Sequence, residues 1–83
     1  MTSFTTSSQF DEDFGKLDKR MLFLVQKKME KILRQPLLGK PLHAPLQHYK
    51  SERLESMRIV YSYSIKNDQV FFAYFDKRKH AYD

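Results

Sequence analysis

The apolar residues of this chain change period once, and that change limits the folds open to it. From Lys19 to Arg34, Leu22, Val25, Met29 and Ile32 recur at intervals of three and four, thickened by Met21 and Leu33, the stripe of an amphipathic helix. Pro36 cannot continue that helix and marks its end. Beyond Tyr49 the period is two. In Met57 to Ile65, Ile59, Tyr61, Tyr63 and Ile65 fall on one face, with Arg58, Val60, Ser62 and Ser64 on the other. Val70 to Phe75 is apolar on both faces, as in a central strand. Tyr49 to Leu54 supplies an earlier strand, and Lys66-Asn67-Asp68-Gln69 a tight turn, since Asn and Asp tolerate the backbone angles a hairpin needs.

Upstream of the long helix, Ser3 to Ser8 is short and rich in β-branched and hydroxyl residues, which suits an edge strand. Ser7 or Ser8 can cap a helix in which Phe10, Phe14 and Leu17 share a face and Asp11 to Asp13 meet the positive end of the dipole. Asp18 has the place of the next cap, so the two helices follow closely and should form an antiparallel hairpin. Residues 35–48 hold all three prolines and read as a long connector, with enough leucine to pin it to the core. The expected fold is α+β: an N-terminal edge strand, a two-helix hairpin and a three-stranded antiparallel meander.

Eighty-three residues make one domain spanning positions 1–83. There is no cysteine, which removes disulfides and thiolate metal sites. No apolar run approaches the roughly 20 residues that cross a bilayer, and the N-terminus lacks the pattern of a signal peptide. A cytoplasmic protein without a membrane partner is expected.

Charge is unevenly spread. The net charge is +5, made of −3 over residues 1–18, +5 over residues 19–34 and +3 over residues 35–83. This excess points to a polyanion or an acidic protein partner.

Within the basic part, Arg53 and Arg58 stand at the two ends of a short turn and can point at one patch, where guanidinium forks suit a phosphate. Taken alone, the residues favour a plainer arrangement, cross-strand pairing with Glu52 and Glu55 on a solvated face. Lys27, Lys28 and Lys31 read as a solvated helix face. The C-terminal run Lys77-Arg78-Lys79-His80-Ala81-Tyr82 interleaves cations with a possible proton carrier and a stacking ring, the groups that single-stranded RNA binding uses; a frayed basic tail fits equally. His43 and His48, five apart on the connector with no carboxylate near them, do not make a metal site, and none is expected. A Gly-rich phosphate loop, a paired-carboxylate site and a nucleophile elbow are all missing, so most enzyme classes lack their parts.

Taken in order, Phe10, Phe14-Gly15-Lys16-Leu17, Val25, Met29, Ile32, Pro36 and Gly39-Lys40-Pro41-Leu42, then Arg53, Met57-Arg58-Ile59-Val60-Tyr61, Arg78 and Tyr82, resemble the RelE/ParE toxin superfamily from Phe4 to Tyr82. The resemblance implies the toxin of a toxin–antitoxin pair, held by a small acidic antitoxin in a hetero-oligomer. RelE-type members enter the ribosomal A site and cut mRNA by attack of the ribose 2′-hydroxyl on the adjacent phosphate, with no metal or other cofactor. Carried over by position, the catalytic groups would be Arg58, Arg78, Tyr82 and His80, with Tyr49, Lys50, Arg53, Lys77 and Lys79 on the RNA. The chain departs from the pattern at Tyr49 and Ser51, where some active members carry lysines, at Met57 in place of an aromatic, and at Lys77 in place of a histidine. ParE-like members share the fold and poison DNA gyrase instead, and an inactive antitoxin-binding member is the third possibility.

Overall fold

A computed structural model describes residues 2–77. The elements run β1 (Ser3–Thr6), α1 (Ser8–Gly15), α2 (Lys19–Arg34), β2 (Lys40–Pro41), β3 (Lys50–Leu54), β4 (Met57–Ser64) and β5 (Gln69–Asp76). The strands form one sheet in the order β1-β5-β4-β3-β2, antiparallel throughout except where β1 lies parallel to β5. The α+β expectation therefore holds, with one added element. The connector contributes β2, which pairs Lys40 with Ser51 and Pro41 with Lys50 at the far edge of the sheet.

Local chemistry accounts for the helix ends. The Ser7 hydroxyl accepts from the Phe10 amide, and the Asp18 carboxylate accepts from the Met21 amide, each satisfying a first-turn donor that has no helical partner. Both helices bury their apolar sides on one face of the sheet. Phe10, Val25 and Ile32 pack there with Met57, Ile59, Tyr61, Val70, Phe72 and Phe75. Phe10 is the keystone: its ring stacks on Phe75 at 4.5 Å, on Phe72 at 5.5 Å and on Phe14 at 6.1 Å between centroids.

Two expectations need correction. Ile65 leaves the strand and stands in the turn, 72% exposed, because β4 ends at Ser64 and the chain must reverse. Of the connector's leucines only Leu42 is buried; Leu37 and Leu38 point to solvent. The connector is anchored instead by Tyr61, whose hydroxyl donates to the Pro36 carbonyl at 3.2 Å. Gly39 lies against that hydroxyl so closely that a Cβ there would sit 2.1 Å from it.

Candidate functional site

The second face of the sheet carries the candidate site. Among the described residues no helix contributes to its apolar cluster, in which Leu42 and Val60 pack with Tyr49 and Tyr74. The alternation of β4 that buries Ile59 and Tyr61 under the helices sends Arg58, Val60 and Ser62 to this face.

The β3–β4 turn at Glu55-Ser56 sets Arg53 directly opposite Arg58, with Glu55 at a φ of 57°. On the other side of Arg58 the register places Asp76, so Arg53, Arg58 and Asp76 form one row across three strands. The Arg58 Nη1 donates to the Ser51 hydroxyl at 3.4 Å. Tyr74 stands opposite Val60, one step along the same face.

An irregularity in β5 makes this row possible. Val60 pairs with Tyr74 whereas Tyr61 pairs with Phe72, which leaves Ala73 as an extra residue. Such a bulge resets the alternation. Phe72 and Phe75, three apart, both face the helices, and Tyr74 and Asp76 turn to the side of Arg58. The Ser7 hydroxyl that caps α1 also donates to the Ala73 carbonyl, tying the helix start to the bulge.

The carboxylates offered by sequence as partners for the two arginines are engaged on the opposite side. Glu52 faces α2, 3.2 Å from Lys31 and 3.9 Å from Lys28, and Glu55 pairs with Arg20. The helix lysines are thus partly occupied with the sheet, while Lys27 lies 5.5 Å from the centre of the Phe23 ring.

The sequence-derived candidates divide as follows. Arg53, Arg58 and Tyr49 share the second face. Lys50 does not join them: its cross-strand partners are Tyr61 and Pro41, which puts it on the helix side. Lys77 follows β5 directly and is exposed. Arg78, Lys79, His80 and Tyr82 lie outside the described residues. Three residues that sequence reasoning missed belong to the same face: Lys40, opposite Ser51, and Tyr74 and Asp76 on β5. A two-residue strand and a bulge leave little trace in an apolar run, although Lys40 sits in the quoted Gly39-Lys40-Pro41-Leu42 segment.

Among the described residues no three His, Asp or Glu side chains gather as a metal would require, and His43 and His48 are both exposed. Tyr61 carries a strongly displaced ionisation, and its origin is structural. Burial, and next the Glu52 charge, push the Tyr61 hydroxyl up to about 12, with the Gly39 backbone hydrogen bond acting in the opposite sense. At the β4–β5 turn the Asp68 carboxyl is held below its ordinary value by hydrogen bonds from the Tyr63 and Thr2 hydroxyls, and Tyr63 is raised in turn.

No family model matches the chain, and no curated protein matches it. Solved structures do. The chain is similar to a protein in the toxin–antitoxin complex RelBE2 of Mycobacterium tuberculosis, with 26% identity and a TM-score of 0.81, covering 93% of this chain and 98% of that one. It is similar to a protein in the intact RelBE toxin–antitoxin complex of Escherichia coli at 18% identity, with a TM-score of 0.81 over 94% and 98% of the two chains. A third likeness is to the YoeB–YefM complex of Staphylococcus aureus, at 26% identity with a TM-score of 0.75 over 94% and 98%.

Proposed function

We propose, on the premise that this chain carries the fold of the RelE/ParE toxin superfamily, that it is the toxin of a toxin–antitoxin pair and acts as an endoribonuclease on mRNA in the ribosomal A site. The observation that supports this best is the row of Arg53 and Arg58 on the sheet face away from the helices, with Tyr49 and Tyr74 beside it. Like charges directly opposite one another destabilise a sheet. Asp76, opposite Arg58 on the other side of the row, offsets part of that cost, and guanidinium N–H donors on this face suit a phosphate oxygen.

In the proposed reaction the ribose 2′-hydroxyl loses its proton to a base and its oxygen attacks the adjacent phosphorus in line. The bond to the 5′-oxygen breaks, that oxygen takes a proton, and a 2′,3′-cyclic phosphate and a 5′-hydroxyl remain. Arg58, with Arg53 beside it, faces the charge growing on the phosphate oxygens. Tyr49 and Tyr74 offer rings on which a base can stack. Arg78, His80 and Tyr82 are proposed for the remaining charge and proton transfers, with Lys77 and Lys79 on the RNA backbone. A small acidic antitoxin would cover the basic sheet face and keep these groups from RNA.

The test is cleavage of translated mRNA on programmed ribosomes by purified variants, with thermal melting alongside. Arg58→Ala should cut cleavage by about 10²-fold or more, as for loss of one preorganised charge. Full cleavage by folded Arg58→Ala would sink the assignment. Growth arrest without any RNA cleavage would move the ParE-like reading ahead, with gyrase supercoiling as its assay.

A further inference from the structure

On the helix side of the sheet the rings engage one another: Phe4, Phe10, Phe14, Tyr61, Phe72 and Phe75 all take part in ring–ring contacts. Phe71 does not. Its chain neighbours Val70 and Phe72 lie in the cluster under the helices, so Phe71 projects to the second face. There it is half-buried and meets no other ring among the described residues. Its cross-strand partners are Ser62 on β4 and Thr5 on β1. Neither of those hydroxyls is hydrogen-bonded among the described residues, whereas those of Thr2, Thr6 and Ser7 are all engaged.

The bulge at Ala73 brings this ring into line with the arginines. Phe71 and Tyr74 are three apart on β5, yet they face Ser62 and Val60, which are two apart on β4. Arg58, Val60 and Ser62 therefore mark successive positions down one face, each ~7 Å from the last. That step is comparable with the span of one extended nucleotide. A phosphate held at Arg58 thus sets the next base over Tyr74 and the following one over Phe71. An apolar protein segment would find hydroxyls beside this ring rather than aliphatic side chains. A base offers its π-face to the ring, and hydroxyls that both donate and accept suit base edges and the ribose 2′-hydroxyl.

We propose that Phe71, between Ser62 and Thr5, is a stacking platform for the second nucleotide from the scissile phosphate. The platform follows from register and from a ring left without a partner; its occupant rests on the endonuclease reading above. Aromatic side chains at successive positions of one sheet face are a general way of holding two or three unpaired bases.

The probe is an mRNA with a 2′-deoxy residue at the scissile position, which removes the attacking hydroxyl, and the readout is affinity for ribosomes programmed with it. Phe71→Leu keeps apolar bulk without a π-face and should weaken binding about tenfold, as for loss of one stacked base. Phe71→Tyr should bind like the parent. An abasic residue two nucleotides from the scissile phosphate, on its 5′ or its 3′ side, should cost the parent the same tenfold and Phe71→Leu nothing further. Parental affinity in folded Phe71→Leu overturns the platform, as does a loss undiminished by the abasic residue on either side. The abasic arm needs only the parent, so it decides even where Phe71→Leu does not fold: equal affinity for intact and abasic mRNA overturns the platform. A parent that binds in this base-dependent way yet leaves all-ribose mRNA uncut keeps the platform and refutes the endonuclease. A parent with no affinity for programmed ribosomes overturns both.

Discussion

The two faces of the sheet are built from the same three strands and are put to opposite uses. Under the helices, alternate residues of β4 and β5 are apolar and aromatic, and Phe10 stacks into them from α1. The acidic groups on that side, Glu52 and Glu55, are paired with Lys28, Lys31 and Arg20 of α2. On the second face the apolar cluster is small, and next to it runs the row of Arg53, Arg58 and Asp76. Burial scales with apolar area, so the first face supplies most of the stability. The second is then free to hold charges that stability alone would not select. A period of two is enough to give one strand both duties.

Substitutions should respect that division. The largest effect is expected from Phe10→Ala, which removes a ring in contact with Phe14, Phe72 and Phe75 and should cost about 3–5 kcal/mol in chemical denaturation. A loss below 1 kcal/mol would show that the helix-covered face is not the main core. Next comes Gly39→Ala, whose added methyl would meet the Tyr61 hydroxyl and the Lys50 Cβ, the latter at 2.9 Å. Overpacking there should cost about 1–3 kcal/mol, read as a lowered melting temperature.

Tyr61 sharpens the comparison through pH. Its folded pKa is raised to about 12, so ionisation favours the unfolded chain. The stabilisation is complete below the unfolded value near 10 and is lost as pH rises from there through 12, by on the order of 2 kcal/mol. Tyr61→Phe should flatten most of that alkaline fall; an unchanged pH profile would mean the buried ring is not its source. The smallest effect belongs to Lys27→Ala on the outer side of α2. Its cation–π contact with exposed Phe23 should cost about 0.5 kcal/mol and leave RNA cleavage within about twofold. A larger loss of cleavage would mean that the outside of α2 shares the function now assigned to the second sheet face.

What the sequence determined by itself was local. The Ser7 and Asp18 caps, the extent of α2 and the opposition of Arg58 to Ile59 across β4 all follow from contacts within a few residues or from a fixed backbone period. The Asp68 turn was legible for the same reason, since its φ of 48° is one that Asp tolerates. The side of Lys50, opposite to that of Arg53 three residues on, follows from the period of β3 itself. Tertiary structure decided whatever depended on a partner strand. It laid β1 parallel to β5, drew β2 out of the connector, and gave Glu52 and Glu55 to α2 rather than to the arginines. Above all, it placed an extra residue at Ala73, inside a run apolar on both faces where a period of two carries no phase. That shift turned Phe75 into the core and brought Tyr74 and Asp76 alongside Arg58, because register is settled by pairing across strands and not along one.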